Sequence, residues 1–79
     1  MIHVKLTGEF IKLAPEENVK GAFDMDYVSG LPVSKLVTEL GVKDLGIKYS
    51  VMVNNSRKPE DYVLSDSDTV LIIPLLAGG

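Results

Sequence analysis

The 79-residue chain contains no cysteine, no tryptophan and a single histidine, and only 6% of its residues are aromatic. Without cysteine, disulfides, thiolate metal sites and a cysteine nucleophile are excluded. His3 alone cannot form a multi-histidine metal site. No apolar run is long enough to cross a bilayer, and no basic segment with a long apolar core begins the chain. We therefore expect no signal peptide, no membrane partner and a cytoplasmic location.

Positive charge is also scarce, since eight Lys and Arg face eleven Asp and Glu and give a net charge of −3. A mildly acidic chain without a basic stripe argues against nucleic acid as a partner. The 46% of hydrophobic residues is normal for a folded domain. At this length one domain fills the chain, and a buried catalytic pocket is hard to accommodate. The composition therefore favours a binding or carrier module over a self-sufficient enzyme.

The first part of the sequence predicts two strands. Residues 2–7 alternate apolar and polar side chains, the pattern of a half-buried strand. After a turn at Gly8, the apolar residues of 10–13 suggest the return limb of a short hairpin. Residues 21–28 alternate again and predict the second strand.

Residues 32–40 predict a helix. Pro32 fits the first helical position, where its missing N–H is harmless, and Gly41 fits a left-handed cap after the last turn. The apolar stripe that would face a core has helical spacing and consists of Val33, Leu36, Val37 and Leu40.

The last part of the sequence predicts three further strands. They cover 49–54, a short or edge segment within 57–64 that contains Pro59, and the β-branched run 69–73. Turns at 54–56 and 65–68 separate them. The run 69–73 suggests a strand covered on both faces. The fold class is therefore α+β, with one mixed four- to five-stranded sheet and one main helix packed across it.

No pattern of catalytic or metal-ligating residues stands out. Asp66 and Asp68 lack the glycine and the spaced ligands of a calcium loop and fit a solvated turn. No serine has a histidine close in sequence, and no glycine-rich loop opens a helix. His3 alternates outward from the first strand and is expected on the surface.

The C-terminal end is the distinctive feature. The segment Pro74-Leu75-Leu76-Ala77-Gly78-Gly79 directly follows the last predicted strand and closes the sequence. We expect a domain over 1–74 and a thin, flexible tail over 75–79 that reaches about 17 Å at 3.3–3.6 Å per residue. Two glycines add nothing to a core but can enter a narrow channel, and the carboxylate they carry must be activated before acyl transfer. A frayed or appended tail is the alternative.

The order of these motifs resembles the ubiquitin-like β-grasp sulfur carriers. The residues that carry the resemblance are Val53-Asn54-Asn55, the segment from Leu64 to Val70, Ile73-Pro74 and the final Ala77-Gly78-Gly79. The sequence is most similar to the small subunit of molybdopterin synthase, and the thiamine-pathway sulfur carrier is the sister family. Two departures are Ser67-Asp68 where the family usually has Gly-Asp, and Leu75 where many members have a second proline.

The resemblance implies a function for the tail. An E1-like adenylating enzyme, using ATP and magnesium, would activate Gly79, which would then become a thiocarboxylate. Gly78, Ala77, Leu76 and Leu75 would be the tail that inserts into the large subunit of a molybdopterin synthase, or into a thiazole synthase in the thiamine alternative. The chain itself would bind no cofactor and perform no catalysis. Its residues 8–28 exceed the length usual in thiamine carriers and favour the molybdopterin branch.

Strand alternation also predicts a partner surface. If Val70 and Ile72 face the helix, then Leu71, Ile73 and Met52 lie on the opposite sheet face as a docking patch. Alternatively, residues 8–28 fold over that face and make it core. Two other functions stay open: a ubiquitin-like modifier that forms isopeptides through Gly79, and a plain interaction domain with an incidental Gly-Gly end.

Overall fold

The computed structural model describes residues 1–75. The tail residues predicted to carry the chemistry, Leu76 to Gly79, lie outside the described residues. Five strands are present: β1 (Ile2–Leu6), β2 (Ala22–Met25), β3 (Tyr49–Val53), β4 (Ser56–Arg57) and β5 (Thr69–Pro74). One α-helix, α1 (Val33–Leu40), and two 3₁₀ helices, Gly8–Leu13 and Val42–Leu45, complete the described chain.

The strands form one mixed sheet in the order β2-β1-β5-β3-β4. β1 and β5 are parallel, whereas β2 pairs with β1, β3 with β5 and β4 with β3 in antiparallel fashion. The last strand is therefore central and has a neighbour on each side. This arrangement confirms the predicted mixed sheet with one main helix.

The core lies between α1 and one face of the sheet. Alternate residues of β1, β3 and β5 point toward the helix because successive side chains of a strand point to opposite faces. The buried apolar residues share this layer: Ile2, Val4, Leu6, Phe10, Leu31, Val33, Leu36, Val37, Val42, Val51, Val53, Leu64, Val70 and Ile72. Leu40, the last residue of the predicted stripe, packs at the margin of this layer.

The ends of α1 agree with the sequence pattern to within one residue. Gly41 adopts φ 79°, and its N–H donates to the carbonyls of Thr38 and Val37, as expected of a left-handed cap. Pro32 stands at the N-cap position with extended backbone, one residue before the helical position predicted for it. The missing proline N–H is harmless at either position because neither needs an intrahelical donor.

The predicted hairpin limb at residues 10–13 is wrong, because Gly8–Leu13 forms a 3₁₀ helix. Gly8 adopts φ 56°, and the Phe10 N–H donates to the Thr7 carbonyl at 3.1 Å, which starts a helical turn. Phe10 is buried and Leu13 packs against the core, whereas Ile11 is exposed. The three-residue spacing of Phe10 and Leu13 places both on one helical face.

Strand boundaries are shorter than predicted at two places. β2 ends at Met25 instead of continuing to residue 28, and β4 has only two residues. The Lys58 N–H still donates to the Val51 carbonyl at 3.0 Å, but the next ladder pair, Glu60 with Tyr49, is not formed, and the Glu60 carbonyl instead accepts from the Ser34 N–H at 2.8 Å. The edge of β3 beyond this point is therefore left without a neighbouring strand.

A buried carboxylate joins two turns at one end of the sheet. Asp68 is 7% exposed, and its two oxygens accept hydrogen bonds from the Asn54 side chain at 2.9 Å and the Ser65 N–H at 2.8 Å. The Asn54 side-chain oxygen accepts from the Thr69 N–H at 2.9 Å. These bonds fix the start of β5 against the end of β3, so Asp68 has a structural role.

Candidate functional site

The sheet face opposite α1, the outer face, carries the predicted docking patch. Met52 pairs with Leu71 in the register of β3 and β5, and Ile73 lies two residues further along β5. All three side chains are half-buried, whereas their neighbours Val70 and Ile72 are buried under α1. We call Met52, Leu71 and Ile73 the outer patch; strand alternation predicts its placement correctly.

Residues 8–28 pack on the helix side of the sheet. Their half-buried apolar side chains Leu13, Ala14, Phe23, Met25 and Tyr27 contact the buried core, which does not include the outer patch. Leu71 and Ile73 are half-buried on the outer face, whereas Val70 and Ile72 are buried on the other face. The β5 run is therefore fully covered on one side only, and the expectation of cover on both faces is wrong for this strand.

The described chain ends at Leu75, beside the start of β3. Leu75, the first residue of the predicted tail, still donates its N–H to the Lys48 carbonyl at 2.7 Å. Its side chain is 42% exposed. The sheet pairing therefore continues one residue past the end of β5. The remaining predicted tail residues, Leu76, Ala77, Gly78 and Gly79, lie outside the described part.

A groove opens beside Leu75. It has a volume of about 370 Å³, and we call it the edge groove. The groove lies where β4 ends and the edge of β3 is left open. Its walls are formed by Lys48, Tyr49, Ser50, Val51, Arg57, Lys58, Glu60 and Leu75.

The edge groove is cationic although the protein is acidic. Among the described residues, Lys48 and Arg57 form no ion pair, and Lys58 makes only a cation–π contact, 4.9 Å from the centre of the Tyr62 ring. The one carboxylate of the groove, Glu60, is held by Lys43 at 3.1 Å and by the Tyr49 hydroxyl at 3.2 Å. The groove therefore presents three cations against one partnered anion.

This network shifts two ionisation equilibria. Burial raises the pKa of the Tyr49 phenol above its ordinary value, and the negative charge of Glu60 raises it further. The hydrogen bond to Glu60, followed by the charge of Glu60, raises the pKa of Lys43. Both shifts favour the protonated forms of Tyr49 and Lys43.

Other polar residues do not form a site in the described part of the chain. His3 lies on the surface as predicted, with Nδ1 2.7 Å from a carboxylate oxygen of Asp24. No three metal-ligating side chains come together among residues 1–75. No helix in this part of the chain is both long and apolar enough to cross a membrane.

The cations of the edge groove are functional candidates that the sequence analysis does not identify. Lys48 precedes β3, whereas Arg57 and Lys58 follow the hairpin turn, so Lys48 is separated from the other two along the chain. The sequence does contain a hint of this site, because the three cations flank one predicted hairpin in a chain whose net charge is −3. That signal indicates a cationic edge only once the pairing of the two strands is known.

Comparisons with known proteins locate the fold. No protein-family model and no curated protein matches the chain. The crystal structure of SAMP1 from Haloferax volcanii is similar, with a TM-score of 0.72 over 99% of this chain and 98% of that chain. The two sequences are 14% identical, so the likeness concerns the fold. The chain has the ubiquitin-like β-grasp fold, as predicted.

Proposed function

We propose that this protein is a sulfur carrier whose C-terminal glycine, Gly79, is activated and converted to a thiocarboxylate. The observation that carries the proposal is that a β-grasp domain is followed in the sequence by a C-terminal pair of glycines. A β-grasp domain spans the described chain, its central strand β5 ends at Pro74, and the sequence then closes with Gly78-Gly79. No catalytic function is assigned to the domain itself.

The chemistry requires an activating enzyme. A carboxylate oxygen of Gly79 attacks the α-phosphorus of ATP, which releases pyrophosphate and forms an acyl-adenylate. Hydrosulfide then attacks the carbonyl carbon, and AMP leaves with the original carboxylate oxygen. The product is a thiocarboxylate, and neither step changes an oxidation state. ATP and magnesium belong to the E1-like adenylating enzyme.

The outer patch fits a docking surface for that enzyme. Met52, Leu71 and Ile73 are apolar, half-buried and on the same sheet face as Leu75, the first residue of the predicted tail. Apolar surface of this kind is typical of the centre of a protein interface. Docking there would bring residues 76–79 to the partner's active site.

The most specific form of the proposal is a role in molybdopterin synthesis, as the small subunit beside a large synthase subunit. The resemblance in motif order supports it, as does the length of the segment 8–28, which supplies Phe10 to the core. In the thiamine alternative, the same thiocarboxylate would be delivered to a thiazole synthase.

The modifier function is the second candidate, because the ubiquitin-like β-grasp fold shared with SAMP1 and the terminal Gly78-Gly79 fit a modifier as well as they fit a carrier. In this reaction a lysine amine, instead of hydrosulfide, would attack the activated Gly79 and form an isopeptide. The two functions share the activation step and differ in the nucleophile.

ATP–pyrophosphate exchange tests the shared activation step. With an E1-like enzyme and magnesium, the full chain should support exchange, and deletion of Gly79 should abolish it. Met52→Ala, on the outer patch, should raise the KM for this protein about tenfold. The surface substitution Lys35→Ala, on the exposed side of α1, is the matched control and should leave the KM unchanged. Equal exchange with and without Gly79 would reject the proposal.

A further inference from the structure

Where β4 ends, β3 has a free edge facing the edge groove. The Lys48 carbonyl accepts from Leu75 on the β5 side, whereas the Val51 carbonyl accepts from Lys58 on the β4 side. In an antiparallel sheet, backbone groups two residues apart point the same way. The N–H and C=O of Tyr49 therefore point away from β5, into the groove.

The cations of the groove lie on both sides of this free edge. The register pairs Arg57 with Met52 and so places Arg57 on the outer face. Lys48 follows the same alternation as Met52, four residues earlier. Lys58 is the neighbour of Arg57 and lies on the opposite face, against the Tyr62 ring. A strand added along β3 would meet positive charge on either face.

We propose that the edge groove binds an extended acidic segment of a partner protein, which pairs with the backbone of Tyr49. Successive side chains of an added strand point to opposite faces, so neighbouring carboxylates would reach Lys48 and Arg57 on one side and Lys58 on the other. Glu60 does not oppose this binding because Lys43 and the Tyr49 hydroxyl hold its carboxylate.

The position of the groove indicates the partner. Leu75, the first residue of the predicted tail, lines the groove, and the outer patch adjoins the groove along β3. The identity of the partner rests on the proposed function: it is the activating enzyme, whose acidic segment would align the tail. Charge attraction of this kind raises the association rate and is weakened by salt.

A peptide titration tests the groove without any enzyme. The probe is a blocked pentapeptide, Thr-Glu-Glu-Glu-Thr, added to the isotope-labelled full chain at low salt, and amide chemical shifts are followed by NMR. We expect shifts at residues 48–51 and 57–58, and none with the matched peptide Thr-Gln-Gln-Gln-Thr. Shifts spread over the surface, or centred elsewhere, would overturn the proposal.

Charge-reversal variants distinguish specific binding in the groove from the general effect of the protein's net charge. The variant with Lys48→Glu, Arg57→Glu and Lys58→Glu should bind the acidic peptide at least tenfold more weakly. The control changes the net charge equally at exposed lysines, Lys12, Lys20 and Lys35, and should lose less than threefold. Equal losses in the two variants would contradict a specific site. If charge reversal unfolds the protein, Lys48→Gln with Arg57→Gln replaces it.

Two further measurements complete the test. Inorganic phosphate, titrated in the same way, should not reproduce the shifts; if it does so as strongly as the peptide, the groove is an anion site and not a peptide site. In pyrophosphate exchange, the groove variant should raise the KM for this protein at least tenfold at unchanged kcat. The NMR result does not involve Gly79, so a failed activation assay would reject the proposed function without deciding the groove.

Discussion

At the residue scale, Asp68 is the side chain on which the end of the sheet depends. Asp68→Ala would leave the Asn54 amide and the Ser65 N–H without their acceptor. We expect the free energy of unfolding to fall by about 1–3 kcal/mol, because two hydrogen bonds to a carboxylate are lost. Urea unfolding measures this change. Asp61→Ala, at an exposed position, is the control and should stay within about 0.5 kcal/mol of the parent.

Ser67 stands where the resembled family usually has glycine. It adopts φ 72°, the left-handed conformation that glycine reaches without strain and that costs other residues about 1–2 kcal/mol. This position therefore favours glycine, although the chain has serine there. Ser67→Gly should stabilise the protein by about 0.5 kcal/mol, after the greater freedom of the unfolded chain is subtracted.

A matched glycine substitution checks this reason. Ser65 lies in the same turn but has no positive φ, so Ser65→Gly relieves no strain and should not stabilise. The melting temperatures of the two variants and the parent, measured together, decide the matter. Stabilisation by Ser65→Gly equal to that by Ser67→Gly would contradict the account.

Tyr49 gives the network beside the tail a measurable pH dependence. Because its pKa is raised in the folded protein, its contribution to stability is complete below the unfolded pKa of about 10 and is lost as pH rises through the folded pKa. The ultraviolet titration of its phenolate should shift toward lower pH in Glu60→Gln. Part of the elevation should persist, since burial is the larger cause. An unchanged titration would remove Glu60 from the explanation.

At the element scale, adjacent residues of β5 belong alternately to the buried core and to the outer patch. Ile72→Ala removes a buried side chain and should cost about 2–5 kcal/mol of unfolding free energy. Leu71→Ala, on the outer patch, should cost about 1 kcal/mol because the side chain is only half-buried. Calorimetry of the two variants compares them directly. Equal costs would mean that the outer patch is core.

The elements themselves are largely predictable from the sequence, because their patterns are local. The stripe of α1 and the cap at Gly41 lie within ten residues, and the strands of 2–6, 49–53 and 69–74 show alternation or β-branched runs. The prediction for segment 10–13 fails because its three apolar residues fit either period, and only the turn at Gly8 decides for a 3₁₀ helix. The edge groove is not predictable, since it depends on where β4 stops.

At the scale of the whole molecule, the buried core of the described chain ends at β5. The last fully buried residue is Ile72, and α1 and the sheet are complete within residues 1–75. Deletion of Gly78 and Gly79 should therefore leave the melting temperature unchanged while it abolishes activation. A marked loss of melting temperature would show that the two glycines serve the fold.

The proposed carrier function is tested most directly by the intact mass of the full chain. The protein is incubated with an E1-like enzyme, ATP, magnesium and hydrosulfide, beside a variant that lacks Gly79. We predict a gain in mass equal to the exchange of one oxygen for sulfur, in the full chain only. No gain with enzymes that activate other β-grasp carriers, or the same gain without Gly79, would contradict the sulfur-carrier account.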